Sequence, residues 1–190
     1  MRARPAQWIS RLTCVAVVLT MVVTAATAQE PAPPPNQLQT FAEQLINASA
    51  QNRSDLLATR ADMMSTRLRR ELVRRGNLLL LDGKYTPAFE IYQLAEKVAE
   101  RIDDKEGIAT TALNIGSVYY FQGNYELALE NYRHAQQLFL SLANRSEAAR
   151  SLFGIALTLQ AQKKLNDALR VFEQASKEYE ALDDRDELAN

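Results

Sequence analysis

The chain has 190 residues, with 22 Lys and Arg against 23 Asp and Glu and a formal charge of −1. That balance lacks the basic excess on which nucleic-acid binding rests, while 47% hydrophobic against 24% charged residues is ordinary for a folded domain. With one cysteine (Cys14) and one histidine (His134), the chain can build neither an internal disulfide nor a thiolate or histidine metal site.

Arg2, Arg4 and Arg11 precede an uncharged, mostly apolar run from Leu12 to Ala26, followed by the small residues of Ala26-Thr27-Ala28. The pattern predicts a signal peptide over residues 1–28, cleaved near Ala28. The apolar run is shorter than the ~20 residues a membrane-spanning helix needs. The expectation is an exported protein, periplasmic or secreted, with no membrane span after cleavage and no cysteine left. Residues 29–37 hold four of the six prolines, Pro31 and Pro33 to Pro35, and read as an extended linker. Residues 38–64 carry an amphipathic stripe of Phe41, Leu45, Ile46 and Ala48. A second short segment follows, with Leu56 and Leu57 behind Ser54 or Asp55. Two capping helices are predicted there.

From residue 65 the sequence repeats every 40 positions. Gly83-Lys84-Tyr85 matches Gly123-Asn124-Tyr125, and Ala88, Ala128 and Ala168 keep the step. Tyr92, Tyr132 and Phe172 keep it too, as do Gly76, Gly116 and Ala156. A fixed period of this size predicts a stacked array. Within a unit the apolar residues step by three and four, as in Tyr125, Ala128, Leu129, Tyr132, Ala135 and Phe139, which is one face of a helix. A turn at Gln122-Gly123-Asn124 divides each unit into two helices. Small residues such as Gly116 and Ala128 let the two axes approach. The units span 65–104, 105–144 and 145–182. Residues 183–189 lie 40 positions beyond 143–149 and are expected to begin a fourth, truncated unit, as if the chain were the front part of a longer protein.

This order of small residue, aromatic or aliphatic residue, Gly-x-Tyr, then Ala-x3-aromatic-x2-Ala resembles the tetratricopeptide repeat. The period departs from that family's usual ~34 residues and is similar to the long repeats of kinesin light chains. It is also similar to the arrays that precede a caspase-like CHAT domain in secreted bacterial proteins. The resemblance implies an all-α, right-handed solenoid of three helical hairpins behind short capping helices. Its first helices would line a concave groove that holds a protein or peptide. Carried onto this chain, the groove takes Arg70, Val73 and Asn77 from the first unit and Thr110, Leu113, Asn114, Ser117 and Tyr120 from the second. The third gives Arg150, Phe153 and Leu157, and Leu81 and Phe121 extend the same rows. Arg67, Arg69, Arg70, Arg74 and Arg75 crowd one helix against Glu71 alone, which points to an acidic segment or carboxylate as ligand. No nucleophile–base pair, phosphate loop or metal cluster is legible, so the expectation is a scaffold without catalytic residues, metal or cofactor. The alternative expectation is the recruiting arm of a larger secreted enzyme, such as a CHAT-type peptidase, with its catalytic domain further along.

Overall fold

The computed structural model describes residues 35–188, all of whose regular structure is helical. The expected signal peptide, most of the linker and the last two residues lie outside the described residues. Among the described residues, no helix is long and apolar enough to cross a membrane.

Helix α1 runs Pro35–Asn47, three residues earlier than the sequence pattern suggests. Proline fits a first helical position, where its missing N–H has no partner to lose. Helix α2 spans Ala50–Thr59 and is capped by Ser49, whose hydroxyl accepts from the Asn52 amide; a 3-10 turn at Ala61–Met63 follows. Leu38, Phe41 and Leu45 of α1 are buried against the first hairpin, as a capping helix requires.

The hairpins are α3 (Thr66–Leu81) with α4 (Tyr85–Arg101), α5 (Lys105–Phe121) with α6 (Tyr125–Ser141), and α7 (Arg145–Ala161) with α8 (Leu165–Leu188). The long period has a simple origin. In the second unit both helices have 17 residues, and three-residue connections join helix to helix. The connections reuse one device, a residue with positive φ. Gly83 and Gly123 supply it at no steric cost, with φ of 72° and 78°. The third hairpin keeps the same turn with Lys163 at φ 62°, although Lys replaces Gly there. Asp103 and Ala143 do likewise between units, and Asp104 and Asn144 then cap α5 and α7 by accepting the Gly107 and Glu147 amides.

Residues 183–188, expected to begin a fourth unit, fall within α8, which runs to Leu188 and has 24 residues.

Packing between the helices rests on ring against glycine. A Cβ on Gly76 would lie 2.5 Å from the Tyr92 ring. The Tyr132 ring is held from two sides: a Cβ on Gly116 would come within 2.9 Å and one on Gly154 within 2.7 Å. Gly154→Ala is therefore expected to destabilise the array by about 1–3 kcal/mol through overpacking. Lys163→Gly should stabilise it by about 1 kcal/mol by relieving the left-handed residue. Urea denaturation of the two variants beside the parent measures both, and equal midpoints for all three would contradict this packing.

Candidate functional site

The first helices α3, α5 and α7 pack directly on one another along the stack, whereas successive second helices lie further apart. The first helices therefore form the inner side of the curve, the side on which the expected binding residues stand.

Those residues divide into three groups. Val73 and Leu113 are buried among the core side chains and are unavailable to a ligand, which corrects the expectation for both. Each lies in the seam that the next unit closes. Asn77 and Ser117 are occupied instead of buried. The Tyr92 hydroxyl donates to Asn77 Oδ1 at 2.6 Å, and the Tyr132 hydroxyl donates to Ser117 Oγ at 3.1 Å. Burial and loss of hydration push both tyrosines above their ordinary pKa, so they remain neutral donors. In the third unit both members of this pair become apolar, Leu157 and Phe172, which removes the need for a bond. The sequence carried that signal, since tyrosine goes with a polar partner and phenylalanine with leucine at the same step.

The third group remains open. Arg70 is exposed and, among the described residues, has no ion pair. Thr110 is half-buried and bonds back to the Glu106 carbonyl. Tyr120 packs edge-on against Phe121 at 5.3 Å, and Phe121 in turn stacks on Tyr85 at 5.8 Å. Leu81 and Phe121 are the most exposed apolar side chains of this edge. Arg150 is exposed and paired with Glu147 of its own helix at 3.0 Å. Phe153 is exposed with its ring 5.4 Å from Phe172. Asn114 is the unusual member. It is only 7% exposed, yet its side-chain amide makes no hydrogen bond to another described residue. The amide atoms are not closed off from water, so they can exchange it for a ligand's backbone.

The basic cluster resolves into pairs. Arg74 and Arg75 both bond Glu71, and Arg75 also reaches Glu43 of α1 at 2.9 Å. The two guanidiniums hold the Glu71 carboxyl down at about 2. Because its folded value is depressed, this contact adds stability at neutral pH and loses it as the pH falls from the ordinary carboxylate range toward 2. Arg69, counted with the cluster in sequence, is buried. Its Nε and Nη2 donate to Asp104 Oδ2 at 3.1 and 3.0 Å, while Asp104 Oδ1 caps α5. A Cβ on Gly107 would lie 2.8 Å from Arg69 Nε, so that glycine makes room for the guanidinium. Only Arg67 and Arg70 of the five lack an ion pair among the described residues.

Among the described residues, cavities of about 490, 400 and 390 Å³ lie between α2 and α4 beside Arg53 and Lys97, beside Phe41 and Arg60, and between α6 and α8 over Leu152 and Ile155. None of the three touches Asn114 or Arg70, and the inner face is an open surface suited to an extended chain instead of an enclosed small molecule.

The two kinds of arginine separate by measurement. Arg69→Ala removes two donors from the half-buried Asp104 carboxylate and is expected to cost about 2–3 kcal/mol in urea unfolding, whereas Arg70→Ala should leave the midpoint at the parent value. Similar losses for both would show that the Arg69–Asp104 pair is not a structural tie.

The tetratricopeptide repeat family matches residues 70–141 and again residues 107–181. No curated protein matches the chain by sequence. Three solved structures resemble it. The TPR domain of Arabidopsis FLU aligns with a TM-score of 0.56 at 16% identity, over 60% of this chain and 95% of that one. BtubC (BKLC) from P. vanneervenii aligns at 0.59 and 14%, over 78% and 59%. A putative kinesin light chain of Podospora anserina with nearly identical TPR-like repeats aligns at 0.53 and 13%, over 89% and 87%. At these identities the likeness is one of fold, the stack of helical hairpins. With the family match covering more than half its length, this chain belongs to the tetratricopeptide repeat family.

Proposed function

We propose that the inner face of the array binds an extended peptide segment of a protein partner, with Asn114 bonding its backbone. The observation that carries this reading is the Asn114 amide, which makes no hydrogen bond to another described residue and is not sealed from water although the residue is only 7% exposed. It sits in the middle unit, with Arg70 in the unit before it and Arg150 in the unit after. Leu81, Tyr120 and Phe121 supply apolar anchors along one edge. Arg67 and Arg70 favour acidic residues or a terminal carboxylate in the ligand, since their charge is not spent on a neighbour. The surface offers contact and no reacting group, which suits a scaffold. Export belongs to the same proposal, with the leader cleaved after Ala28 and the array working outside the cytoplasm.

Selection from a random peptide display library tests the groove. Binders enriched in Asp and Glu are expected. Asn114→Ala should weaken them by about tenfold, the loss of a well-placed hydrogen bond. Arg70→Glu should abolish the acidic preference and the salt dependence. Binders that hold the double variant as tightly as the parent would move the ligand off this face. N-terminal sequencing of the exported protein is expected to begin at Gln29, and an intact Met1 in the exported fraction would remove the cleavage step.

A further inference from the structure

The second helices stand apart on the outer side of the array, and the gap between α6 and α8 is a cavity of about 390 Å³. Leu152, Ile155 and Leu159 of α7 form its floor and belong to the core below. The two walls are polar and alike. Helix α6 presents Arg133 and, one turn on, Gln137; α8 presents Arg170 and, one turn on, Gln174. All four side chains are exposed, and Gln136 adds a third amide to the α6 wall.

The repeat does not require this set. Forty positions before Arg133 and Gln137 stand Gln93 and Lys97, and forty before Arg170 and Gln174 stand Glu130 and His134. The hairpins form with either set, so packing does not demand arginines on facing walls. Nor is their charge spent. Arg133 makes no ion pair among the described residues. Arg170 bonds Asp167 of its own helix at 3.2 Å, with the two side chains 75% and 56% exposed. Water screens so open a pair, and a ligand can replace it. Asp167 is the carboxylate that lines the cavity. Glu130 and Glu173 stand three residues from the arginines and, among the described residues, pair with neither. Guanidiniums on facing walls suit an oxyanion, because each offers paired donors to a carboxylate or phosphate. The glutamines offer donors and acceptors together. They match neighbours that both give and take hydrogen bonds, as hydroxyl groups do. The apolar floor suits a surface of carbon and hydrogen. The volume falls at the lower end of the range for small-molecule sites.

We propose that the cleft between α6 and α8, walled by Arg133, Gln137, Arg170 and Gln174, binds a small hydroxyl-bearing anion, a sugar acid or a sugar phosphate. The two sources share one chemistry, an oxyanion beside hydroxyl groups. The cleft shares no residue with the inner face, so either proposal can fail alone.

Titration calorimetry of the purified chain with glucuronate, glucose-6-phosphate, glucose and inorganic phosphate tests it. Binding of at least one anionic sugar is expected, and the tighter of the two assigns carboxylate or phosphate. Glucose and inorganic phosphate should each bind at least about tenfold more weakly than that sugar. Arg133→Gln with Arg170→Gln should raise the dissociation constant by at least about tenfold. The far-UV circular dichroism of that variant should stay at the parent value, because both side chains are exposed. Gln137→Ala with Gln174→Ala should reduce the preference for the anionic sugar over inorganic phosphate. Arg70→Glu on the inner face should leave the affinity unchanged. A chain that binds neither anionic sugar overturns the proposal, as does binding that survives the double arginine variant. Glucose bound as tightly as the anionic sugars removes the arginines from recognition, and inorganic phosphate bound as tightly removes the hydroxyl-bearing body; either result overturns it.

Discussion

The array depends on seating a tyrosine ring against a helix that has no side chain at the point of contact. Tyr132 fills the space between Gly116 in its own hairpin and Gly154 in the next, and Tyr92 does the same over Gly76. A protein interior tolerates little misfit, so these contacts fix both the distance within a hairpin and the distance between units. The hydroxyls at the tips of the rings then need partners, and Asn77 and Ser117 provide them from the first helices. Polar residues that look like groove residues in sequence are thereby drawn into the frame. The third unit shows the same logic from the other side: with Phe172 for tyrosine, Leu157 takes the place of the amide or hydroxyl.

That close approach also explains what remains for binding. The residue of the second unit that corresponds to Gly154 is Asn114, forty positions earlier. The position lies where first helices crowd together, so a side chain there is mostly removed from water. Glycine answers the crowding by having no side chain. Asparagine answers it by burying its stem while its amide still reaches water. An amide held in that position can exchange water for a peptide backbone without first giving up a partner in the protein. The arginines follow a parallel division. On α3, Arg69, Arg74 and Arg75 hold the frame and are neutralised by Asp104, Glu71 and Glu43, while Arg67 and Arg70 have no ion pair among the described residues.

Most of the fold was legible because a repeat states each structural demand three times. The 40-residue step, the small residues at the crossings and the glycines of the turns all lead to the hairpins observed. What escaped was set by contacts across long separations or by balances between similar energies. The Arg69–Asp104 pair spans 35 residues and occurs at one junction only, because Ala109 and Ala149 follow Arg69 at the repeat step. Lys163 keeps a left-handed turn that its side chain disfavours, since the packing of α7 on α8 outweighs a local cost of about 1 kcal/mol. Val73 and Leu113 read as groove anchors because an inward-facing apolar residue on a first helix serves the groove or the seam equally well by pattern. Their burial decides for the seam.

A stack of this kind is held together by neighbours, each unit stabilised by its own contacts and by the surface it shares with the next. The two ends therefore cannot be equivalent unless something makes them so. At the head, α1 and α2 bury the first hairpin, and Arg53 ties α2 to α1 by donating to the Leu45 and Ile46 carbonyls at 2.9 Å. At the tail, Leu165 and Leu169 of α8 are exposed among the described residues. Exposed leucines and aromatics scattered singly are ordinary on a protein surface. Here Leu169 and Phe153 stand at the repeat positions of Leu129 and Leu113, which are buried in the second unit, so their exposure follows the pattern of the repeat.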